Sequence, residues 1–238
     1  MGLFSNSYSV LLTVSALYAG LATASSAPQA SAPALKDGSI SYTDDKGISH
    51  RIDVGGRCSD LWVAPGGSAI AFIRIDASQP DPFAIEPFIK KSTVFIAIKA
   101  EAFAPHRVIF PSPKIDGRTW SVFRDPVTSP DLRTVYFDVP AAGTSAALMS
   151  VPATGGTATL IAYEQGYCVM WGGQYNGDLL MIAQRPGRPD EGLVQWYYRA
   201  SNRRTMIPIG NRDRDGDFGT FVRKWANRYG GTCQDNGG

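Results

Sequence analysis

Apolar residues recur at every second position through most of the chain, broken by short clusters rich in Gly, Pro, Asp and Asn. That period sends side chains alternately to two faces of an extended segment and predicts strands joined by tight turns. Val63–Phe72 runs through a short strand, a Pro-Gly-Gly turn and an alternating strand. Thr128–Phe137 follows the same plan around Pro130-Asp131, and Gly173–Ile182 follows it around Asn176-Gly177-Asp178. A second hairpin comes after each copy. Its first strand carries Val94, Ile96 and Ile98, then Ala147, Met149 and Val151, then Val194, Trp196 and Tyr198. Its second strand is Val108 to Phe110, Thr159 to Ala162 and Met206 to Ile209. Each repeat is therefore expected to hold four strands.

The same second hairpin precedes the first copy, where Ile40 and Tyr42 stand before a turn and Ile52 after it, so the chain starts on half a repeat. A repeated four-strand unit of this length predicts an all-β fold: a small β-propeller of about four blades of four antiparallel strands. A half-blade at the start predicts closure of the last blade by strands from both termini, with "DFGTFVRKWANRYGG" supplying the missing inner strands. Asp76–Lys91 and Pro111–Thr119 break the spacing and are expected to be loops on the rim.

The cores "VAPGGSAIAF" and "TSPDLRTVYF" resemble the W-S-P-D-G-x-x-I-A-F core of TolB-like, WD-related propeller repeats. The match is best at Ser129-Pro130-Asp131. The tryptophan position is held by Val63, Thr128 and Gly173, and the third copy lacks the proline. The likeness covers residues 38 to 210 and implies a rigid ring that displays loops, as in propellers of envelope complexes.

Ahead of the repeats, a charge-free apolar run from Val10 to Ala22 leads to Ala22-Thr23-Ala24, which reads as a secretory signal over residues 1–24. Residues 25–36 are rich in Ser, Ala and Pro and are expected to be a flexible leader, with the propeller-like domain over 37–238. The expected location is secreted or periplasmic, with no membrane insertion once the signal is removed. The 23 basic and 21 acidic residues nearly cancel, which argues against a nucleic-acid partner. The densest basic stretch, Arg199, Arg203 and Arg204, reads as a solvated strand end.

Candidate chemistry is sparse. His50 and His106 lie near turns of separate repeats without a carboxylate or cysteine at ligand spacing, and are expected at the surface. No motif for a nucleophile, a phosphate loop, a dinucleotide or a catalytic zinc occurs, so no catalytic residue and no cofactor is assigned. Asn211, Asp213, Asp215 and Asp217 alternate around Gly216 like the first half of a calcium loop, but Val222 stands where the closing acid belongs. The competing reading is a polar turn neutralised by Arg212 and Arg214.

Cys58, Cys168 and Cys233 are the disulfide candidates of an exported chain. Cys58 and Cys168 each stand nine residues before the turn glycine of their repeat, Gly67 and Gly177, which would put them on facing inner strands. A bridge between those two, a bridge from either to Cys233, and free thiols all remain open. Neighbours in Trp196-Tyr197-Tyr198 must point to opposite faces, which makes them candidates for a contact surface. These features lead to a protein-binding module, with a calcium-dependent glycan-binding propeller and a polysaccharide hydrolase or lyase as the alternatives.

Overall fold

The computed structural model describes residues 31–36, 38–43, 47–80, 90–110, 112–115, 117–140, 146–164, 166–184, 193–199 and 203–234. The expected secretory signal and residues 25–30 of the expected leader lie outside them. The Ser/Ala/Pro-rich leader is not loose to its end: Ser31–Lys36 forms strand β1 and pairs antiparallel with β2 (Ser39–Thr43), which pairs with β3 (Ser49–Asp53). Folded structure thus begins before residue 37.

Three antiparallel sheets follow, in the order the repeats predict. The first is β4 (Arg57–Val63), β5 (Ala69–Pro80), β6 (Lys90–Ile98) and β7 (His106–Arg107). After a small hairpin, β8 (Lys114–Ile115) with β9 (Arg118–Thr119), comes β10 (Arg124–Thr128), β11 (Thr134–Pro140), β12 (Ala146–Pro152) and β13 (Thr159–Glu164). The last comprises β14 (Gly166–Trp171), β15 (Leu179–Gln184), β16 (Leu193–Arg199) and β17 (Arg203–Asn211). The two stretches expected as rim loops are partly strand: β5 and β6 extend to pair Pro80 with Lys90, and β8–β9 lies within 111–119.

The alternation predicted from sequence is what stacks these sheets. On β5, Ile70 and Phe72 face the sheet of β1–β3, packing with Ile40 and Phe95, while Ile73 faces the next sheet. On β11, Val135, Phe137 and Val139 meet Ile73, Val94 and Ile96, and Tyr136 on the opposite face meets β14 and β15. Both faces are covered, so β11 is buried from Val135 to Val139. Trp62 of β4, Val127 of β10 and Val169 of β14 share one cluster, so the innermost strands of three sheets converge. The sheets fan outward from them as propeller blades do.

The tail departs from the expectation. It does not complete the β1–β3 sheet. Residues 212–228 form α1 (Arg212–Asp215) and α2 (Phe218–Arg228), and β18 (Thr232–Gln234) joins the inner edge of the last sheet, pairing Met170 with Cys233. Phe218, Phe221, Val222, Trp225 and Ala226 recur at helical spacing, and this stripe lies against Cys168, Met170 and Leu180. Helix α2 therefore covers the face that a further blade would cover.

Candidate functional site

A shared local irregularity builds the site. Between Ser59 and Trp62 on β4, and between Arg124 and Val127 on β10, the pairing register shifts, so two residues oppose one on the neighbouring strand. The first extra residue is Asp60 in one bulge and Asp125 in the other, with φ of 49° and 51°. Few side chains accept this left-handed backbone, and aspartate is one of them. The equivalent bulges bring both carboxyls to the same end of the inner strands. The Asp60 carboxyl accepts a hydrogen bond from the Asp125 amide. Burial and the neighbouring Asp125 charge raise its pKa, against the pull of Arg124 and of that amide.

The third inner strand closes on the same point. Tyr167 of β14 donates its hydroxyl to the Asp125 carbonyl at 2.5 Å, which ties β14 to the β10 bulge. Burial, followed by the charges of Asp138, Asp125 and Glu164, pushes this phenol well above its ordinary range. It is held as a neutral donor.

Behind this clamp lie two buried acids. Asp138 stands opposite Arg124 in the β10–β11 ladder, and Glu164 ends β13 where the chain passes into β14. They are 8% and 1% exposed. The two side chains share a hydrogen bond, and the Gly166 amide donates to Glu164 Oε2. Among the described residues, neither buried oxygen, Asp138 Oδ1 or Glu164 Oε1, has a donor other than a proton on the pair itself. Burial, then the Glu164 and Asp125 charges, lifts the Asp138 carboxyl to about 9, with Arg124 opposing. Burial lifts Glu164 to about 7, against the Gly166 amide and its bond to Asp138. Two carboxyls this close and this dry hold a proton between them at neutral pH. The arrangement is an acidic mouth, with half-buried Asp60 and Asp125 in front and a protonated acid pair behind.

None of these five residues was singled out from the sequence. One signal was present: Asp60-Leu61-Trp62-Val63 lies over Asp125-Pro126-Val127-Thr128 in the repeat alignment. The pairing of Asp138 with Glu164 has no local signature, because it depends on the passage from one blade to the next.

The residues that were singled out are dispersed. Asn211 accepts from the Arg214 amide, and Asp215 accepts from the Asn211 amide and from Arg214 Nε at 3.1 Å and 3.2 Å. Asp217 caps α2 by accepting from the Thr220 amide at 2.8 Å. The pKa values of Asp215 and Asp217 are both lowered, Asp215 chiefly by its hydrogen bond to Arg214 and Asp217 chiefly by its bonding to Thr220. These three side chains are engaged in turning the chain from β17 into α2. The side chain of Asp213 lies outside the described residues. Among the described residues, no group of three or more His, Cys, Asp or Glu is placed to hold a metal ion.

Cys168 is bonded to Cys233, across the β14–β18 pair, with α-carbons 5.6 Å apart, and Cys58 is free. A Cys58–Cys168 bridge is thereby overturned, and the reason is a longer third turn. The Ala64 and Ser129 amides close the first two turns on Ala69 and Thr134, whereas Met170 closes only on Asp178. This displaces the expected equivalence: Cys168 occupies the position of Trp62 and Val127, not that of Cys58. Burial raises the Cys58 thiol to about 11 despite Arg74 nearby.

His50 stacks on Tyr42 with ring centroids 4.8 Å apart. The His106 Nε2 lies 2.8 Å from the Ala153 carbonyl, and its Nδ1 lies 3.9 Å from Glu101. Trp196, Tyr197 and Tyr198 lie on β16 opposite Met181, Leu180 and Leu179, and their side chains are outside the described residues, as are those of Arg199, Arg203 and Arg204.

Similar folds occur among solved structures. Over 73% of this chain, a gluconolactonase from Xanthomonas campestris aligns at 17% identity with a TM-score of 0.40, covering 55% of that protein. TolB from Acinetobacter baumannii aligns over 77% of this chain and 44% of its own length, at 9% identity and a TM-score of 0.41. The β-propeller domain of the trilobed protease from Pyrococcus furiosus, described as having an open velcro topology, aligns over 78% and 72%, at 10% identity and a TM-score of 0.36. The chain thus spans about half the length of the first two. No protein-family model matches the chain, and no curated protein matches it. The propeller architecture itself rests on the stacked four-stranded sheets.

Proposed function

We propose that the chain is an exported protein-binding module whose contact surface is the acidic mouth, and that it receives a lysine or arginine side chain from its partner. The carrying observation is the convergence of Asp60 and Asp125, held at left-handed bulges on two inner strands, on one point beside Tyr167. Bulged, strained positions cost stability, and they recur where a side chain must be aimed rather than buried. An opposite charge beside these two half-buried carboxyls would offset the burial and the Asp125 repulsion that raise Asp60. The Cys168–Cys233 disulfide supports an oxidising compartment, in keeping with the apolar amino-terminal run.

The test is affinity capture from envelope and culture-fluid fractions using the wild-type chain and an Asp60→Asn/Asp125→Asn variant in parallel. A partner retained by the wild type, lost by the variant and released by raising salt past about 0.5 M is the expected outcome, because mouth-to-cation attraction is screened. Equal recovery on both baits, or none on either, overturns the reading.

A further inference from the structure

The Asp138–Glu164 pair sits where the β10–β13 sheet hands the chain to the β14–β17 sheet. Asp138 belongs to a central strand, β11, and Glu164 to the last residue of β13. The next described residue, Gly166, opens β14 and donates its amide to Glu164. Tyr167 then reaches the Asp125 carbonyl. A bond between the two acids therefore ties β11 to the passage between blades, directly behind the mouth.

We infer that the shared proton of Asp138 and Glu164 is a latch on this joint, closing the mouth's rear wall while it is present and releasing it when it is lost. The latch is geometric before it is electrostatic: each acid is buried, the two side chains lie within hydrogen-bond reach of each other, and among the described residues neither Asp138 Oδ1 nor Glu164 Oε1 has a donor. One proton on the pair gives a donor to an acceptor. Its loss breaks one O–H bond, sends the proton to solvent base, and leaves two carboxylates facing each other.

The groups around them do not compensate. Among the described residues, β10 brings the Asp125 carboxyl and the cation Arg124, β11 and β14 bring the phenols of Tyr136 and Tyr167, and the passage brings the Gly166 amide. With the pair ionised, Asp138, Glu164 and Asp125 set three carboxylates against one guanidinium, which favours separation of the pair. The proposal rests on the mouth being the contact surface only for its consequence, which is that partner binding becomes pH-dependent.

The native pKa values are raised to about 9 and about 7, above the ordinary carboxyl values near 4. The folded protein therefore holds a proton that the unfolded chain has released. The stability from the latch is complete below about pH 4 and is lost as pH rises through the native values.

Urea unfolding of the full chain from pH 5 to pH 9 tests this without any partner. In the wild type, the unfolding constant should rise roughly tenfold per pH unit on average between pH 7 and pH 9, the signature of one extra proton in the folded state, and more steeply below pH 7, where both acids are protonated. Asp138→Asn, which keeps a donor toward Glu164 and needs no proton, should flatten the slope. The infrared carbonyl band of a protonated carboxyl should persist at pH 8 in the folded wild type and vanish in Asp138→Asn, because Glu164 is ionised there while Asp138 is not. Identical slopes in the two proteins, or no such band in the wild type, overturn the latch. If Asp138→Asn does not fold, Glu164→Gln takes its place, and the wild-type band alone still decides. Failure here leaves the capture experiment untouched, and failure there leaves the latch standing.

Discussion

Asp125 joins three parts of the molecule through one residue. Its φ of 51° is left-handed, its amide serves the Asp60 carboxyl, and its carbonyl receives the Tyr167 hydroxyl. Removing that hydroxyl leaves a carbonyl without its donor inside a buried site. Tyr167→Phe should therefore lower stability by about 1–2 kcal/mol in urea unfolding, with the ring still packed among Val127, Tyr136 and Leu148. The side effect is more telling than the cost: the variant should also weaken partner capture, since the Asp125 bulge loses its tie to β14. A stability loss with capture unchanged would mean that the clamp serves the fold alone.

At the scale of elements, the tail is the unusual piece. Helix α2 starts cleanly because Asp217 satisfies the Thr220 amide, and it docks because its apolar stripe matches the outward residues of β14 and β15. Strand β18 follows it and lies along β14, close to the third turn, where the Gln174 amide reaches the Tyr229 carbonyl at 3.1 Å. Gly173, with φ of 66°, leaves the space this approach needs, since a Cβ there would meet the Tyr229 carbonyl. The disulfide closes a loop across a separation of 65 residues. Loop entropy makes that bond worth about 4 kcal/mol. Adding a reductant should lower the urea midpoint accordingly, and hydrogen exchange should accelerate first in α2 and β18 while β11 stays protected. Uniform acceleration would place the tail in the same cooperative unit as the blades.

For the whole molecule, stability comes from contacts between blades rather than from any single sheet. Phe137 is fully buried between β5–β6 and β11–β12, and its ring meets Phe123 edge-on with centroids 5.4 Å apart. Phe137→Ala should cost about 3–5 kcal/mol, a large share of the stability of an ordinary domain, and should lower the thermal midpoint by roughly 10 °C. Differential scanning calorimetry would read this as one shifted transition if the sheets unfold together. Two separate transitions would show that the sheets on either side of this interface fold independently.

Strand identity, strand order and the four-strand repeat were legible in the residues themselves, because side chains two apart must share a face and turns advertise themselves through Gly, Pro, Asp and Asn. On β5, β11 and β14 the apolar runs Ala69–Ile73, Val135–Phe137 and Tyr167–Trp171 are unbroken, as strands covered on both faces require. What the sequence left open was everything that depends on distance through space. The tail reads as strands, whereas β14 and β15 present the apolar face that selects a helix. The longer third turn hides the true partner of Cys168. Asp138 and Glu164 are ordinary polar residues in a linear reading, and they become a proton-sharing pair only when the passage between two blades buries them together. Local periodicity is a property of neighbours along the chain, whereas ionisation and disulfide pairing are set by which groups the packed sheets bring within a few ångströms and shut away from water.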